Sequence, residues 1–424
     1  MKKNVSPAEY DLIIAGLGAS GGFALCALNA LGVSRSVRVL AVEKSPAPFR
    51  KIAASGNGRC NYSNASIASE NYYSFSASET WRKKFTSNIS SCDLMDFFYK
   101  QGIPSRQDEY GRLFPYTNSS KTIISFLERE VKKSCANVVF ESSVTGVNPI
   151  GGDSGFEVSV RSAGEKGNFK ARTKNFICAA GGSAYPKFGT DGSFLGILRN
   201  LGHDHIEPVP GIVALEAALP AFKSLSGLKM ETIISFGENF SRKGELLFTD
   251  YGISGPNVLY ASCAVSMALG KGPAWLAVNF LPETYMDSQY FKKIRSTVGA
   301  GAVDIFGGTL DERFVRAFIK NIPGMPTDGR KLSDYDVEKT VTCLKNFKLQ
   351  VASTRGFADA QVSLGGVVCP SVNPDTLESR FHGGLYIIGE ALDFTGGCGG
   401  YNIHMAAATA FAAVKDIAWR FGKK

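Results

Sequence analysis

The chain has 424 residues, 44% of them hydrophobic and 20% charged, with a formal net charge of +9. That length predicts two or three domains, and that composition excludes a disordered, fibrous or collagen-like chain. The nine cysteines form no CxxC pair, and no stretch is long and apolar enough to span a bilayer.

The first element decides most of the reading. Asp11 to Ala15 is an apolar strand, and Gly16-Leu-Gly18-Ala19-Ser20-Gly21-Gly22 is a glycine turn that opens an apolar helix. Val37 to Val42 is a second strand that ends at Glu43. Strand, glycine turn, helix, strand and acid make a dinucleotide-binding unit. Gly16 permits the tight turn, Gly18 lets a pyrophosphate reach the backbone, and Gly21 lets helix pack on strand. The helix N-terminus offers N–H groups to the phosphates, and Glu43 is spaced to accept from an adenosine ribose. Met1-Lys2-Lys3 before an apolar run has the look of a signal peptide, but Asp11 and the glycines spoil it. The cysteines therefore read as reduced thiols of a cytoplasmic protein.

Residues 46–78, rich in Ser, Asn, Gly and Ala, read as a long functional loop. Helices are predicted at Cys92–Tyr99 and Ser119–Lys133, and strands at Asn137–Thr145, Phe156–Arg161 and Phe169–Ala179, the last two as a hairpin. The third strand runs into Ala180-Gly181-Gly182. Strand-like runs follow at Gly211–Leu219, Thr232–Phe236 and Gly244–Phe248, then a helix from Pro256 to Gly270 capped by Ser254. Residues 286–345 look helical and charged. After Val351 the glycine-rich strand character returns. Leu385 to Glu390 is a buried strand, Gly396 to Gly400 a second glycine turn, and Tyr401 to Arg420 a closing helix. The expected organisation is a dinucleotide domain built from residues 1–195 and 351–424, interrupted by a substrate domain at 196–350 with a helical part near 286–345.

A nicotinamide dehydrogenase has no need of the terminal glycine turn, and the closing helix suits FAD, whose pyrimidine edge becomes anionic on reduction. His203 and His205 have no Cys or His partner nearby and read as a surface turn, so no metal site is expected. The basic residues are scattered. The positive charge reads as a solvated surface offsetting an anionic cofactor, and neither a membrane nor a nucleic acid is expected as partner.

Lys51-Ile-Ala-Ala-Ser55-Gly56-Asn-Gly58-Arg59-Cys60-Asn61 resembles the signature loop of the YhiN/BaiN-type flavoproteins, a group also labelled aminoacetone-oxidase-like or bile-acid-reductase-like. Gly111-Arg112-Leu-Phe114-Pro115, Gly181-Gly-Ser-Ala-Tyr-Pro186, Gly244-Glu-Leu-Leu-Phe-Thr249, Gly252-Ile-Ser-Gly-Pro256, Gly365-Gly366-Val and Gly399-Gly400-Tyr401-Asn402 are similar to the same family, in order along nearly the whole chain. The resemblance implies an α/β, Rossmann-like two-dinucleotide-binding-domain flavoprotein with an inserted β-rich domain carrying a helical subdomain. It implies FAD and an NAD(P)H-linked redox reaction. Cofactor contacts are expected from Gly16, Gly18, Ala19, Ser20, Gly21, Glu43, Lys44, Lys51, Ser55, Gly56, Gly58, Arg59, Cys60, Asn61, Val144, Ala180, Gly181, Gly182, Gly389, Glu390, Asp393 and Gly399 to Ile403. The chain departs from the family pattern at Asp250, where His is usual, and at Ile403-His404-Met405, where Leu-Gln-Trp is usual.

Arg59 is expected to meet the FAD pyrophosphate or an anionic substrate, and Asn61 the flavin ring or merely its own loop. Cys60 and Cys398 read as packed rather than redox thiols. Arg112 is a candidate to hold a carbonyl or carboxylate, against a structural pair with Glu109. Tyr401 and His404, three apart on one helical face, are candidate proton donors, against packing under the cofactor; Asp250 is a further candidate acid. Gly299-Ala-Gly301 lacks a third glycine and a preceding strand, so NAD(P)H must dock at the flavin or on the insertion. The reaction expected is hydride transfer between NAD(P)H and a small organic substrate, with a C=C conjugated to a carbonyl as the acceptor. The rival readings are an FAD-dependent RNA-modifying protein and a non-catalytic flavin-binding module.

Overall fold

The computed structural model describes residues 7–151, 155–163, 167–217, 220–238, 240–325 and 331–422. The chain divides into two compact units, one running up to Val209 and resuming at Gln361, the other spanning Pro210–Ala360.

In the first unit, β1 (Ala8–Ala15) carries Leu12, Ile13 and Ile14, all fully buried. Burial on both faces marks an interior strand covered by helices on each side. Its chain turns at Gly16, φ +98°, where a Cβ would lie 2.4 Å from Ala179 O. In α1 (Ala19–Ala30) a Cβ at Gly21 would lie 2.0 Å from Gly16 O, so only glycine lets helix and strand close up. β2 (Val39–Val42) runs parallel to β1 and delivers Glu43.

The next stretch is mostly irregular, as its composition predicts, with short pieces: α2 (Arg50–Ala54), β3 (Ser63–Asn64) and β4 (Tyr72–Tyr73). A helix not anticipated, α3 (Glu79–Thr86), starts where Ser78 accepts Trp81 N and buries Trp81 and Phe85. Then come α4 (Ser91–Lys100), β5 (Ser105–Gln107), β6 (Arg112–Pro115) and α5 (Ser120–Lys133). β3, β6 and β5 form a small antiparallel sheet with Ser63 opposite Leu113. β7 (Asn137–Val139), β8 (Ser142–Pro149), β9 (Phe156–Ser162) and β10 (Phe169–Cys178) complete the main sheet in the order β7-β2-β1-β10-β9-β8. α6 (Phe194–Asn200) and β11 (His205–Gly211) follow.

The second unit holds β12 (Leu215–Glu216), β13 (Lys229–Phe236), β14 (Phe240–Phe248), β15 (Gly252–Ser254), α7 (Pro256–Leu269), β16 (Ala274–Asn279), α8 (Ser288–Thr297), α9 (Ala302–Phe306), α10 (Glu312–Ile319), α11 (Asp334–Lys345), β17 (Phe347–Val351) and β18 (Ser353–Thr354). Its strands form a separate sheet, β17-β16-β13-β14-β15-β12-β18. Met230, Thr232 and Ile234 alternate inward along β13, onto a core that includes Phe222, Phe248, Phe280, Phe314 and Phe318. Gly255, φ +94°, caps α7, and Ser254 instead ends β15. Leu219, the expected end of one strand, lies outside the described residues.

On returning, β19 (Val362–Val367) pairs with β11. β20 (Leu385–Ile387) lies parallel to β10, β21 (Thr395–Gly396) pairs with β4, and α12 (Tyr401–Gly422) packs on α1 through a run of alanines. β10 thus serves β1 along one edge, and divides the other between β9 at Phe169–Thr173 and β20 at Phe176–Cys178. No described helix is long and apolar enough to cross a membrane.

Candidate functional site

The glycine turn after β1 has a closed side and an open side. Gly16 and Gly21 are shut in by backbone, whereas a Cβ at Gly18 would meet nothing within 4 Å. No side chain caps α1, so its first-turn N–H groups, from Ala19 and Ser20 onward, make the kind of helix start that suits an anion. Glu43, buried at the end of β2, accepts Leu17 N through Oε2 and Ser45 N through Oε1, both at 2.7 Å. Those bonds fix the carboxylate beside the turn and leave each oxygen a further lone pair. Lys44 is paired with Asp191.

A second set of residues gathers from distant parts of the chain. Lys51 Nζ meets Glu390 Oε2 at 2.8 Å, and Glu390 Oε1 accepts Ser363 N at 2.8 Å. Ser363 Oγ in turn accepts Ser183 N and Ala184 N. A Cβ at Gly182 would fall 2.6 Å from that hydroxyl and 3.0 Å from Glu390 Oε1. Ala180-Gly181-Gly182, Lys51 and Glu390 therefore share one corner, with Gly389 seated on Ser20, where a Cβ would lie 2.0 Å from Ser20 Oγ. Val144 stands at a bulge of β8 opposite Val160, two residues after Ser142, whose N–H donates to Glu43 O.

The loop after α2 is wound tightly. Gly56, Asn57, Gly58 and Cys60 all have positive φ, and Ser55 Oγ donates to Ile52 O. Arg59 Nε donates to Gly56 O at 3.0 Å, and its guanidinium stacks 4.8 Å from the Phe114 ring centre. Cys60 is fully buried, and burial pushes its thiol up to about 12, which suits a packed residue and not a thiolate.

Asn61 braces the protein itself. Its side-chain nitrogen donates to Ser63 O and Leu113 O, and its oxygen accepts Gly400 N at 3.0 Å. Every hydrogen bond of the amide in this arrangement goes to backbone. Gly400 is glycine for the same reason, since a Cβ there would lie 2.3 Å from Ser63 O. Asn64 Nδ2 donates to Gly399 O at 3.0 Å, and Asn402 clasps Gly396 through both its N–H and its carbonyl. Tyr401, half-buried, lies edge-on to Tyr72, and Ile403 packs on the core.

His404, a candidate proton donor, is held in the protein as a buried brace. It is 2% exposed, with Nε2 3.1 Å from Ile89 O and Nδ1 2.9 Å from Ser63 Oγ. A carbonyl can only accept, so Nε2 carries the hydrogen and Nδ1 accepts from the serine. Burial lowers its pKa to about 4. Both nitrogens are engaged by the protein, and the one N–H of the neutral ring is directed to Ile89 O.

Asp393, expected among the cofactor contacts, anchors a loop through one oxygen, while its buried Oδ1 has no hydrogen-bond partner among the described residues. It is fully buried, and Oδ2 accepts from Ser74 Oγ, Phe75 N, Ser76 N and Ser76 Oγ. Burial raises its pKa against those four donors. Arg112 pairs with Asp108, not Glu109, through Nε at 2.8 Å. Although burial works the other way, bonds and charge from Arg112 hold the Asp108 carboxyl below its usual range. Asp250 lies in the second unit, exposed, in the bend between β14 and β15. His203 is no surface residue: it is buried between Ser371 and Ser379, and burial lowers it to about 4.

Ser363, Asp108 and Phe114 escaped the sequence reading as site residues. Phe114 stood inside a recognised motif; Ser363 carried no local signal.

The family model described as the HI0933-like protein Rossmann domain matches residues 10–416. The chain belongs to this family. It is 28% identical to the 3-dehydro-bile acid delta(4,6)-reductase of Clostridium scindens, across 95% of this chain and 99% of that protein. It is 26% identical to the ribosomal RNA dihydrouridine synthase of Escherichia coli, across 96% and 98%. Among solved structures, a 3-ketosteroid-delta4-(5alpha)-dehydrogenase from Rhodococcus jostii superposes with a TM-score of 0.52 at 13% identity, covering 98% of both chains. A flavocytochrome c3 fumarate reductase gives 0.51 at 15% identity, covering 98% of this chain and 79% of that one. Those two structures share the fold of this HI0933-like chain, and the family model itself is that of a Rossmann domain.

Proposed function

We propose that this chain is an FAD-dependent oxidoreductase of the cytoplasm that uses NAD(P)H to reduce a C=C bond conjugated to a carbonyl in a small organic substrate. The observation that carries the cofactor reading is the open face of Gly18 at the uncapped start of α1, beside the fixed carboxylate of Glu43. A pyrophosphate and an ADP ribose fit those donors and that acceptor. The corner of Gly182, Lys51 and Glu390 supplies further groups for the cofactor's polar chain. FAD, when bound, supplies hydride chemistry that no side chain can.

The named activities of the two relatives support the substrate class. The delta(4,6) double bonds of a 3-dehydro bile acid are conjugated to the 3-ketone. Dihydrouridine is a uridine whose C5=C6 bond, conjugated to the C4 carbonyl, has been reduced. Steroid and base differ in size and polarity, but their acceptors share a β-carbon electrophile and an oxygen that takes up charge. The chain's task in either case is to hold a planar acceptor, receive charge on its oxygen and deliver a proton, for which Tyr401 is the remaining candidate in the first unit.

The test begins with purified protein. Heat-released cofactor should run as FAD, and anaerobic NADH or NADPH should bleach the flavin absorbance. Reoxidation by an enone panel should then identify acceptors. FMN, no flavin, or a flavin that neither nucleotide reduces ends the proposal. A second reading, reduction of a uridine in RNA, is favoured by the E. coli relative and by the net charge of +9. Loss of dihydrouridine from the RNA of a deletion strain, restored by the gene, would replace the small molecule by RNA.

A further inference from the structure

We propose that Arg59 receives the carbonyl oxygen of the substrate and stabilises the enolate formed there; this rests on the reductase reading above. Three features converge on it. The Nε–H of Arg59 is fixed to Gly56 O, so the loop's own backbone aims the guanidinium. One side of that group is stacked on Phe114, a ring only 2% exposed. The two terminal nitrogens make no hydrogen bond to any described residue, leaving a preorganised fork for one oxygen.

Arg112 sharpens the assignment. Its guanidinium lies 5.9 Å from the same Phe114 ring, but it is held by Asp108 at 2.7 Å. One ring therefore carries two guanidiniums, one neutralised and one not. Pairing Arg112 removes a repulsion that would push Arg59 away, and leaves the net positive charge on the arginine with vacant donors. The same loop is tied through Asn61 and Asn64 to the turn at Gly399-Gly400, so Arg59 stands on a rigid mount.

The chemistry balances as follows. A proton and two electrons, originating in the reduced nicotinamide nucleotide, add to the β-carbon together as hydride. The C=C pair moves to the bond between the α-carbon and the carbonyl carbon, and the C=O pair moves to oxygen. The enolate then takes a solvent-derived proton at its α-carbon. Charge reaches the oxygen only as hydride arrives, so a fixed guanidinium there favours the transition state over the ground state.

The probe is p-chlorophenol, a flat ring whose oxygen becomes anionic, titrated into FAD-loaded protein. Wild type should bind the phenolate, seen as a long-wavelength absorbance band, and should lower the pH at which the phenol ionises. Arg59→Gln should weaken phenolate binding roughly tenfold or more and abolish the ionisation shift, with FAD occupancy unchanged. Arg59→Lys, which keeps the charge and loses the fork, should fall between them. Unaltered phenolate binding in either variant overturns the proposal. So does a variant that loses FAD in place of phenol affinity, which would hand Arg59 to the cofactor's phosphates. A wild type that shifts phenol ionisation yet reduces no enone, 2-cyclohexenone included, leaves the oxyanion site standing and removes the reductase reading alone.

Discussion

The side-chain oxygen of Asn61 accepts the N–H of Gly400 at 3.0 Å, joining the loop after α2 to the start of α12. Asn61→Ala strands that N–H and removes a donor from the carbonyls of Ser63 and Leu113, of which Leu113 O still accepts Tyr62 N. The expected cost is about 1–3 kcal/mol of stability, read as a lower midpoint in thermal or urea unfolding. Flavin retention during dialysis should fall with it. A midpoint equal to that of wild type would mean the brace does not form.

Two glycines, one from each glycine turn, should fail in opposite ways. Gly18→Ala meets no protein atom within 4 Å and requires no unusual φ; the variant should melt like wild type in the apo form. It should bind FAD at least about tenfold more weakly, because the methyl stands where the pyrophosphate approaches. Gly400→Ala forces a Cβ to 2.3 Å from Ser63 O at φ +99°. It should lose about 3 kcal/mol or more, whether or not FAD is present. Apo unfolding curves and flavin titration of both variants separate the two cases, and matching behaviour would contradict the assignment.

Glu43→Gln and Glu43→Ala test a residue that serves both fold and ligand. The glutamine keeps one acceptor for Leu17 N or Ser45 N and should lose mainly FAD affinity. The alanine exposes both N–H groups to an empty site and should also lower apo stability by about 1–3 kcal/mol. Equal apo stability of the two variants would show that the backbone bonds carry no weight.

His404 predicts a pH dependence of stability with a definite sign. Its pKa is about 4 in the folded protein and 6.5 ordinarily, so between those values the unfolded chain binds more protons. Stability is then fully present above about pH 6.5 and is lost as pH falls toward 4, by about 3 kcal/mol as an upper figure. His203, also lowered to about 4, adds in the same direction. Unfolding of His404→Gln, measured from pH 7 to 4, should show a shallower slope than wild type. Its turnover at pH 7 should change no more than its loss of folded, flavin-loaded protein explains. An unchanged slope refutes the burial argument, and a collapse of turnover in fully loaded protein restores the proton-donor role.

What was legible in the sequence was what repeats locally. The unit of β1, the glycine turn, α1 and β2 announces itself through period, glycine spacing and a terminal acid, all within a few turns of chain. The roles of His404 and Asp393 were not legible, because their neighbours come from elsewhere. Ile89 and Ser63 immobilise the histidine, and Ser74 with Ser76 encloses the aspartate. A polar residue beside a glycine turn looks the same in sequence whether its side chain faces a ligand or the core. The structural alternative weighed for Arg112 was a pair with Glu109, and the pair forms with Asp108, a register that only the turn before β6 decides. α3 was missed because its apolar stripe consists of just Trp81 and Phe85.

The divided edge of β10 has a consequence for how the chain is made. Phe176 to Cys178 pair with β20, which leaves the ribosome some two hundred residues later. Until then that segment offers bare N–H and C=O groups along the edge away from β1, on an apolar strand, the kind of edge that recruits another chain. The nascent N-terminal half therefore needs shielding throughout synthesis of the second unit. A truncation ending before Leu385 should precipitate or bind chaperones even though its glycine turn and acid are complete.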